Sequence, residues 1–488
     1  MTVRKRHVVI VGCDAALWLT AAAVRQALGP TGIEVTAIEL PTALGPASAY
    51  ATLPAIEALH SRLELDEAQL LQKTGGSFSL GWNINGPGRK PFFIAHGSYG
   101  APIQGNDFFA YWLKARQFGL DVAFEDFSPT AMAARHGRVL LPDEDLEQFG
   151  RSDYAYHLPA IAYVSLLKSA AQKLGVHIHH ALEIDVERDS ATGHIRAVTP
   201  RGNASIEGDL FIDASGSQRI LAEVPTQSET EDWSAFFPMD RRLVARGEPF
   251  RTLPTYAELR LAETGWTALL ASQAATHIVH AFGGADEAGE ESLEKAASAA
   301  GVALKDAAIE RIGVGIRNEA WAANCVAIGR SACELDPLFD LDLHVIQLGV
   351  VHLLSLFPAA TVIGAERAEY NRITRSAFER LRDFQATLYT LAHHAKSAPA
   401  TLQQKLAVFR ARGAIAPMED ETFNANQWRA LLIGLRLMPE SWPPAIDATT
   451  PEQMKDGFRR ILAFVGAKVR EQPAHDRYLA DIGAKLPL

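Results

Sequence analysis

A chain of 488 residues with 48% hydrophobic content is long enough to bury a large core and too apolar to be disordered. Its formal charge of −10 excludes a surface built to neutralise a nucleic-acid backbone, which needs clustered Lys and Arg. Cys13, Cys325 and Cys333 exclude a disulfide framework and lack zinc-site spacing, so a reducing cytoplasm is the expected setting.

The first element is a strand, His7 to Gly12 (HVVIVG), apolar throughout. Arg4, Lys5 and Arg6 before it give the start a superficial likeness to a signal peptide. Asp14 then breaks the apolar stretch and Arg25 follows, so a buried strand running into a helix is the better reading. Ala15 to Leu28 is an alanine-rich helix and Ile33 to Glu39 a second strand, a βαβ opening suited to a nucleotide. Glu39 ends that strand, where its carboxylate is placed to accept hydrogen bonds from a ribose; the alternative is a solvated glutamate beside a turn.

Asp209 to Gly216 (DLFIDASG) and Val326 to Gly329 (VAIG) read as further buried strands of the same sheet. The stretches 46–150 and 226–309, rich in Gly, Pro and aromatics, are expected to form a cap. From Asp342 the pattern is helical, with Leu343, Ile346, Val350 and Leu354 on one face and Pro358 stopping the run. Further helices are expected at Arg375 to His393, Leu402 to Arg412, Asn424 to Leu437 and Pro451 to Arg470. The expected fold is α/β. A Rossmann-like module spans 1–45, 151–225 and 310–360, the cap spans 46–150 and 226–309, and a mostly helical region spans 361–488. No internal repeat occurs, and no run reaches the roughly 20 apolar residues that span a bilayer.

Several stretches share an order from Gly12 to Leu338. They are Thr52-Leu53-Pro54 followed by Leu65-Asp66-Glu67-Ala68, Tyr154-Ala155-Tyr156-His157-Leu158, Phe211-Ile212-Asp213-Ala214-Ser215-Gly216, and Asn324 to Gly329 with Asp336-Pro337-Leu338. Together they resemble the flavin-dependent tryptophan halogenases over almost the whole chain. The resemblance implies an FAD-binding module, a helical and loop region for an aromatic substrate, and a tunnel between them. In that family a separate reductase supplies reduced flavin, halide attacks the flavin peroxide, and a lysine and a glutamate direct the halogen onto an indole-like ring. The flavin carries the oxidising power and the protein supplies binding and positioning.

The same resemblance locates the departures. Gly12-Cys13-Asp14-Ala15-Ala16-Leu17-Trp18 stands where the family has Gly-x-Gly-x-x-Gly-Trp. Gly12 keeps the tight turn, Asp14 replaces the glycine that lets backbone approach a diphosphate, and Leu17 replaces the one that permits close helix packing. A carboxylate at about 4 Å from a phosphate costs on the order of 4 kcal/mol before screening, enough for roughly a thousandfold in affinity. The bland reading of Asp14 is a helix N-cap, which would satisfy internally the amides that otherwise hold the diphosphate. The FAD positions implied are Gly12, Asp14, Ala15, Glu39, Ser215, Gly216 and Gly329.

Ser79, in Ser77-Phe78-Ser79-Leu80-Gly81-Trp82, takes the place of the family's catalytic lysine, and Phe339 that of its glutamate. A serine hydroxyl is neither cation nor amine. The halide strap becomes Phe339-Asp340-Leu341-Asp342, putting carboxylates beside the halide positions Leu341 and Asp342; the bland reading is that Asp340 or Asp342 caps the following helix. Trp82, His96 and Trp266 are the implied substrate positions, although one retained tryptophan is more often core than site. His277 with His280, His179-His180 and His393-His394 lack metal-ligand partners, and Ser215 is not in a nucleophile elbow, so no metal is expected.

The expectation is a halogenase-fold protein that does not halogenate by the usual route and binds FAD weakly or not at all. It would act as an aromatic-ligand binder or as the non-catalytic partner of an active relative, in a homo- or hetero-oligomer. The alternative is an active halogenase or oxygenase that uses FADH2 from a flavin reductase, O2 and halide on an electron-rich aromatic substrate. Neither reading involves nucleic acid or membrane.

Overall fold

The computed structural model describes residues 6–142, 153–222, 229–283, 290–358, 364–393, 395 and 397–486. The chain divides into two compact units. Met1–Thr74, Leu158–Ser234 and Ile312–Arg382 form the first, and Gly75–His157, Ala235–Arg311 and Asp383–Leu488 the second.

The first unit is organised by β1 (His7–Gly12), α1 (Asp14–Leu28) and β2 (Glu34–Glu39). An apolar run without alternation must be covered on both faces, and β1 accordingly lies inside a sheet with the order Trp321–Ala322, Cys325–Ala327, Leu210–Ala214, β1, β2, His177–His180. All pairings are parallel except that of the two outermost strands at the Trp321 edge. Val9, Val11, Ile38, Phe211 and Cys325 share a core with Ile195 and Val198. α1 buries Ala15, Leu17, Trp18, Leu19, Ala21 and Ala22. A Cβ on Gly12 would stand 2.1 Å from the Ala214 carbonyl oxygen, so packing against the neighbouring strand is sufficient reason for glycine here.

Two local expectations change. α1 begins at Asp14 with Cys13 at the N-cap, and Cys13 makes no side-chain cap bond, so Asp14 is inside the helix rather than capping it. The helix Asp342–Ser355 has Leu341 at its N-cap, again with no side-chain cap bond, so neither Asp340 nor Asp342 caps it. That helix buries Leu343, Ile346, Val350 and Leu353, while the expected Leu354 is only half-buried.

Much of the second unit is a seven-stranded sheet in the order Lys305–Arg311, Arg241–Gly247, Thr276–Phe282, Gly265–Ala271, Ala257–Ala262, Gly81–Asn85, Phe92–Ala95. Only Ala257–Ala262 with Gly81–Asn85 is parallel. Leu243, Ala245, Leu269, Ile278 and Phe282 pack with Ala296 and Ala300 of the helix Glu290–Ala300. Helices follow at Ala400–Arg412, Ala425–Gly434, Pro451–Glu471 and His475–Asp481. Capping boxes start two of them, Asn424 with Gln427 and Thr450 with Gln453. The long helix Gly364–Ala392 starts well before the expected Arg375. No helix among the described residues is long and apolar enough to cross a membrane.

Candidate functional site

In the first unit the turn from β1 into α1 carries Gly12, Asp14 and Ala15. Asp14 has φ 58°, a left-handed conformation natural to glycine and costly to other residues. Burial, with Glu39 adding more weakly, raises its carboxyl above the usual carboxylate range, and the Thr42 hydroxyl and Cys13 thiol act in the opposite direction. Burial, with Asp14 next, pushes the Cys13 thiol up to about 12, so it remains a donor. The chain at this turn keeps the glycine conformation and adds a charge to it.

Glu39, at the end of β2, has its oxygens engaged. Lys168 Nζ and His180 Nδ1 each lie 2.7 Å from Oε2, and Trp18 Nε1 lies 3.3 Å from Oε1. Ser215 donates its hydroxyl to Asp213 Oδ1 at 2.6 Å and accepts from the Ile220 N–H at 2.9 Å. Asp213 also accepts from the Leu221 and Ala222 amides at 2.8 and 2.7 Å, which fixes the loop carrying Gly216. Gly216 and Gly329 are both left-handed, φ 67° and 65°. A Cβ on Gly329 would meet Ile346 Cγ1 at 2.9 Å, so this glycine too has a packing reason to persist.

The strap retains a kinked backbone with changed chemistry. Phe339 and Asp340 are consecutive left-handed residues, φ 67° and 50°, an arrangement that costs of order 1–3 kcal/mol per residue. Phe339 is buried, its ring standing where the resemblance puts a glutamate. Asp340 Oδ2 accepts from the Ala51 N–H at 2.5 Å. Leu341 is buried, and Asp342 lies 3.4 Å from Arg330 Nε.

In the second unit Ser79 closes the strand Ser77–Ser79, pairing with Ala155, while Ser77 pairs with His157. Leu80 donates its N–H to Thr255 at 2.6 Å and accepts at its carbonyl from the His96 N–H at 2.9 Å, placing His96 one residue from Ser79. Trp82 packs edge-on to His96 at 4.9 Å between centroids. Trp266 lies elsewhere in the sheet, fully buried, with its indole N–H committed to the Tyr389 hydroxyl at 2.7 Å.

The imidazoles around Ser79 do not replace the missing cation. Burial pushes His96 and His157 down to about 3 and His475, which accepts from the Phe78 N–H at 3.2 Å, down to about 4. Each is neutral at physiological pH. His157 Nδ1 lies 3.2 Å from the Ala271 carbonyl and so carries the proton, leaving Nε2 a bare acceptor. His157 Nε2 and His96 Nδ1 are buried without a hydrogen-bond partner among the described residues. Sequence reasoning passed over His157 as a site residue, although it lies inside the quoted Tyr154–Leu158 motif. It also passed over Lys168 and weighed His180 only as a metal ligand, whereas strand pairing and helix packing bring both to Glu39.

Of the other histidines, His277 bonds Ser272 and His280 bonds Thr267, while His394 lies outside the described residues. No group of three potential metal ligands occurs among the described residues.

A sequence profile of the tryptophan halogenase family matches residues 7–451. The chain belongs to the tryptophan halogenase family. It is 28% identical to BrvH, a flavin-dependent halogenase from Brevundimonas sp. BAL3, with a TM-score of 0.92 over 98% of this chain and 99% of that one. Xcc4156, a flavin-dependent halogenase from Xanthomonas campestris, is 27% identical with a TM-score of 0.90 over 99% of each chain. The tryptophan 7-halogenase KtzQ of Kutzneria sp. (strain 744) is 26% identical over 80% of this chain and 76% of its own length. The flavoprotein α/β fold is therefore that of the family, and membership implies FAD, an aromatic substrate and a flavin reductase for active members.

Proposed function

We propose that this member of the family does not halogenate, binds FAD weakly or not at all, and holds an aromatic small molecule. The observation that carries the reading is Asp14, a partly buried carboxylate at the left-handed position opening α1. A diphosphate there would meet the Asp14 carboxyl group, whose ionised form repels it and complements the helix dipole. Glu39, whose oxygens are engaged by Lys168, His180 and Trp18, offers little to a ribose. The retained glycines Gly12 and Gly329 do not weigh against this, because each has a packing reason of its own. The residues present therefore do not fit FAD.

Support for a ring-shaped ligand comes from the second unit. Trp82 and His96 form an aromatic pair, and the bare acceptor Nε2 of His157 suits a ring that carries an N–H or O–H. Without a lysine amine at Ser79, and with its neighbouring imidazoles neutral, such a ligand would be held and not oxidised.

The test joins binding and turnover. Isothermal titration with indole should give saturable binding that His157→Phe weakens about tenfold, the size of one lost hydrogen bond. The same protein with FAD, a flavin reductase, O2 and bromide should form no brominated indole. Brominated product above the reductase-only background would instead favour an active flavin-dependent halogenase or oxygenase.

A further inference from the structure

Lys405, on the helix Ala400–Arg412 of the second unit, is a buried cation, only 7% exposed. Lysines are almost never buried unless paired, and this one is paired twice. Its Nζ lies 2.6 Å from Glu421 Oε2 and 3.7 Å from the centre of the Trp428 ring, so one ammonium serves a carboxylate and an indole face together. Glu421 belongs to the loop before the helix Ala425–Gly434, and Trp428 to the helix itself. Glu421 Oε1 and Trp428 Nε1 are buried with no hydrogen-bond partner among the described residues, so Lys405 is the polar side chain that holds both.

From Lys405 a run of rings leads, within the same unit, to the aromatic pair Trp82 and His96. Trp428 meets Phe384 edge-on, 5.0 Å between centroids and 86° between planes. Phe384 stacks on Phe423 at 3.7 Å and 15°. Phe423 meets Trp82 edge-on at 6.2 Å, and Trp82 meets His96 at 4.9 Å. Phe423 is also fixed along the backbone. Glu421 lies two residues before it, and Asn424, directly after it, opens the next helix with its capping box. Lys405 thus acts on Phe423 by two routes, through the loop held at Glu421 and through the stacked rings.

We infer that Lys405 is a positioning residue of the aromatic site, holding Phe423 as the backing of Trp82. This rests on the reading that Trp82 and His96 hold a ring-shaped ligand, and deepens it by naming what sets the wall behind them. Removing the ammonium strands the Glu421 carboxylate, whose side chain is only 12% exposed, and an unpaired charge gains by turning toward water. Phe423, two residues on, is then drawn away from Trp82. Replacing both charged partners by neutral side chains of similar shape removes that pull.

The test is isothermal titration of the full chain with indole in the parent, Lys405→Met, Phe423→Leu and the double variant Lys405→Met with Glu421→Gln. Lys405→Met and Phe423→Leu should each weaken binding about tenfold, and the double variant should return to within about threefold of the parent. Lys405→Met binding like the parent, or a double variant as weak as Lys405→Met, would overturn the inference. So would parent-like binding by Phe423→Leu, which leaves the ion pair in place and decides the matter even where Lys405→Met does not fold. Fluorine NMR of the chain labelled with fluorotryptophan needs no ligand: the Trp82 resonance, assigned by its loss in Trp82→Phe, should shift in Lys405→Met and return in the double variant. A Trp82 resonance that stays in place while that of Trp428 moves would contradict the coupling. A parent that binds no indole would instead remove the reading underneath, and the fluorine shifts would still decide the role of Lys405.

Discussion

Asp14 bears two costs at one position, a left-handed backbone and a carboxylate that burial pushes toward its neutral form. The sign of the second follows from linkage. A carboxyl whose folded value lies above its unfolded value favours the fold while protonated, and that contribution is lost as pH rises through the folded value. Asp14→Asn keeps a residue tolerant of the left-handed conformation and removes the charge. It should raise the urea midpoint at pH 7, with a gain that shrinks as pH approaches 4. An equal gain at both values would place the effect elsewhere. The buried histidines have the opposite sign. His96 and His157 at about 3 and His475 at about 4 lie below the ordinary imidazole value, so stability is complete above about pH 6.5 and falls as the unfolded chain takes up protons on acidification. Between pH 6.5 and 5 each should cost up to about 1.4 kcal/mol per pH unit, read as a falling urea midpoint. A flat profile would mean that these rings reach water.

At the level of elements, close contacts decide what can change. Gly12→Ala drives a Cβ to within 2.1 Å of the Ala214 carbonyl, so β1 and its neighbour must part. We expect a loss of more than about 3 kcal/mol or no folded protein, monitored by thermal melting; a parent-like melt would mean that the sheet yields easily. Asp340→Ala strands the Ala51 N–H and should cost about 1–3 kcal/mol in urea unfolding. The opening β1, α1 and β2 were legible in sequence because an unbroken apolar run and an alanine-rich period leave few alternatives. The sheet of the second unit was not. Gly265–Ala271 and Thr276–Phe282 are buried on both faces, so they lack the alternation that marks Arg241–Gly247 and Ala257–Ala262. The N-cap readings failed for Asp14, Asp340 and Asp342 for a shared reason. An acidic residue before a helix is a local signal, whereas Thr42, Ala51 and Arg330 are partners brought in by the fold.

Across the whole molecule the framework of the family persists, while several positions that the resemblance assigns to cofactor, halide and lysine carry side chains of different charge. The family was readable because ordered motifs are scattered over much of the chain. The fate of the cradle was only half readable. Asp14 announces a charge, but Lys168 and His180, which engage Glu39, lie in other stretches of sequence and reach it through an arrangement that no spacing encodes. If the chemistry is blocked at more than one place, repairing one should not revive it. Ser79→Lys should leave halogenation of indole undetectable with reductase, FAD and bromide, and product formation would show that the lysine was the sole deficit. The most direct measurement is equilibrium dialysis of the purified protein against millimolar FAD, followed by gel filtration and a visible spectrum. The account predicts a colourless protein peak. A yellow peak with one flavin per chain would contradict it.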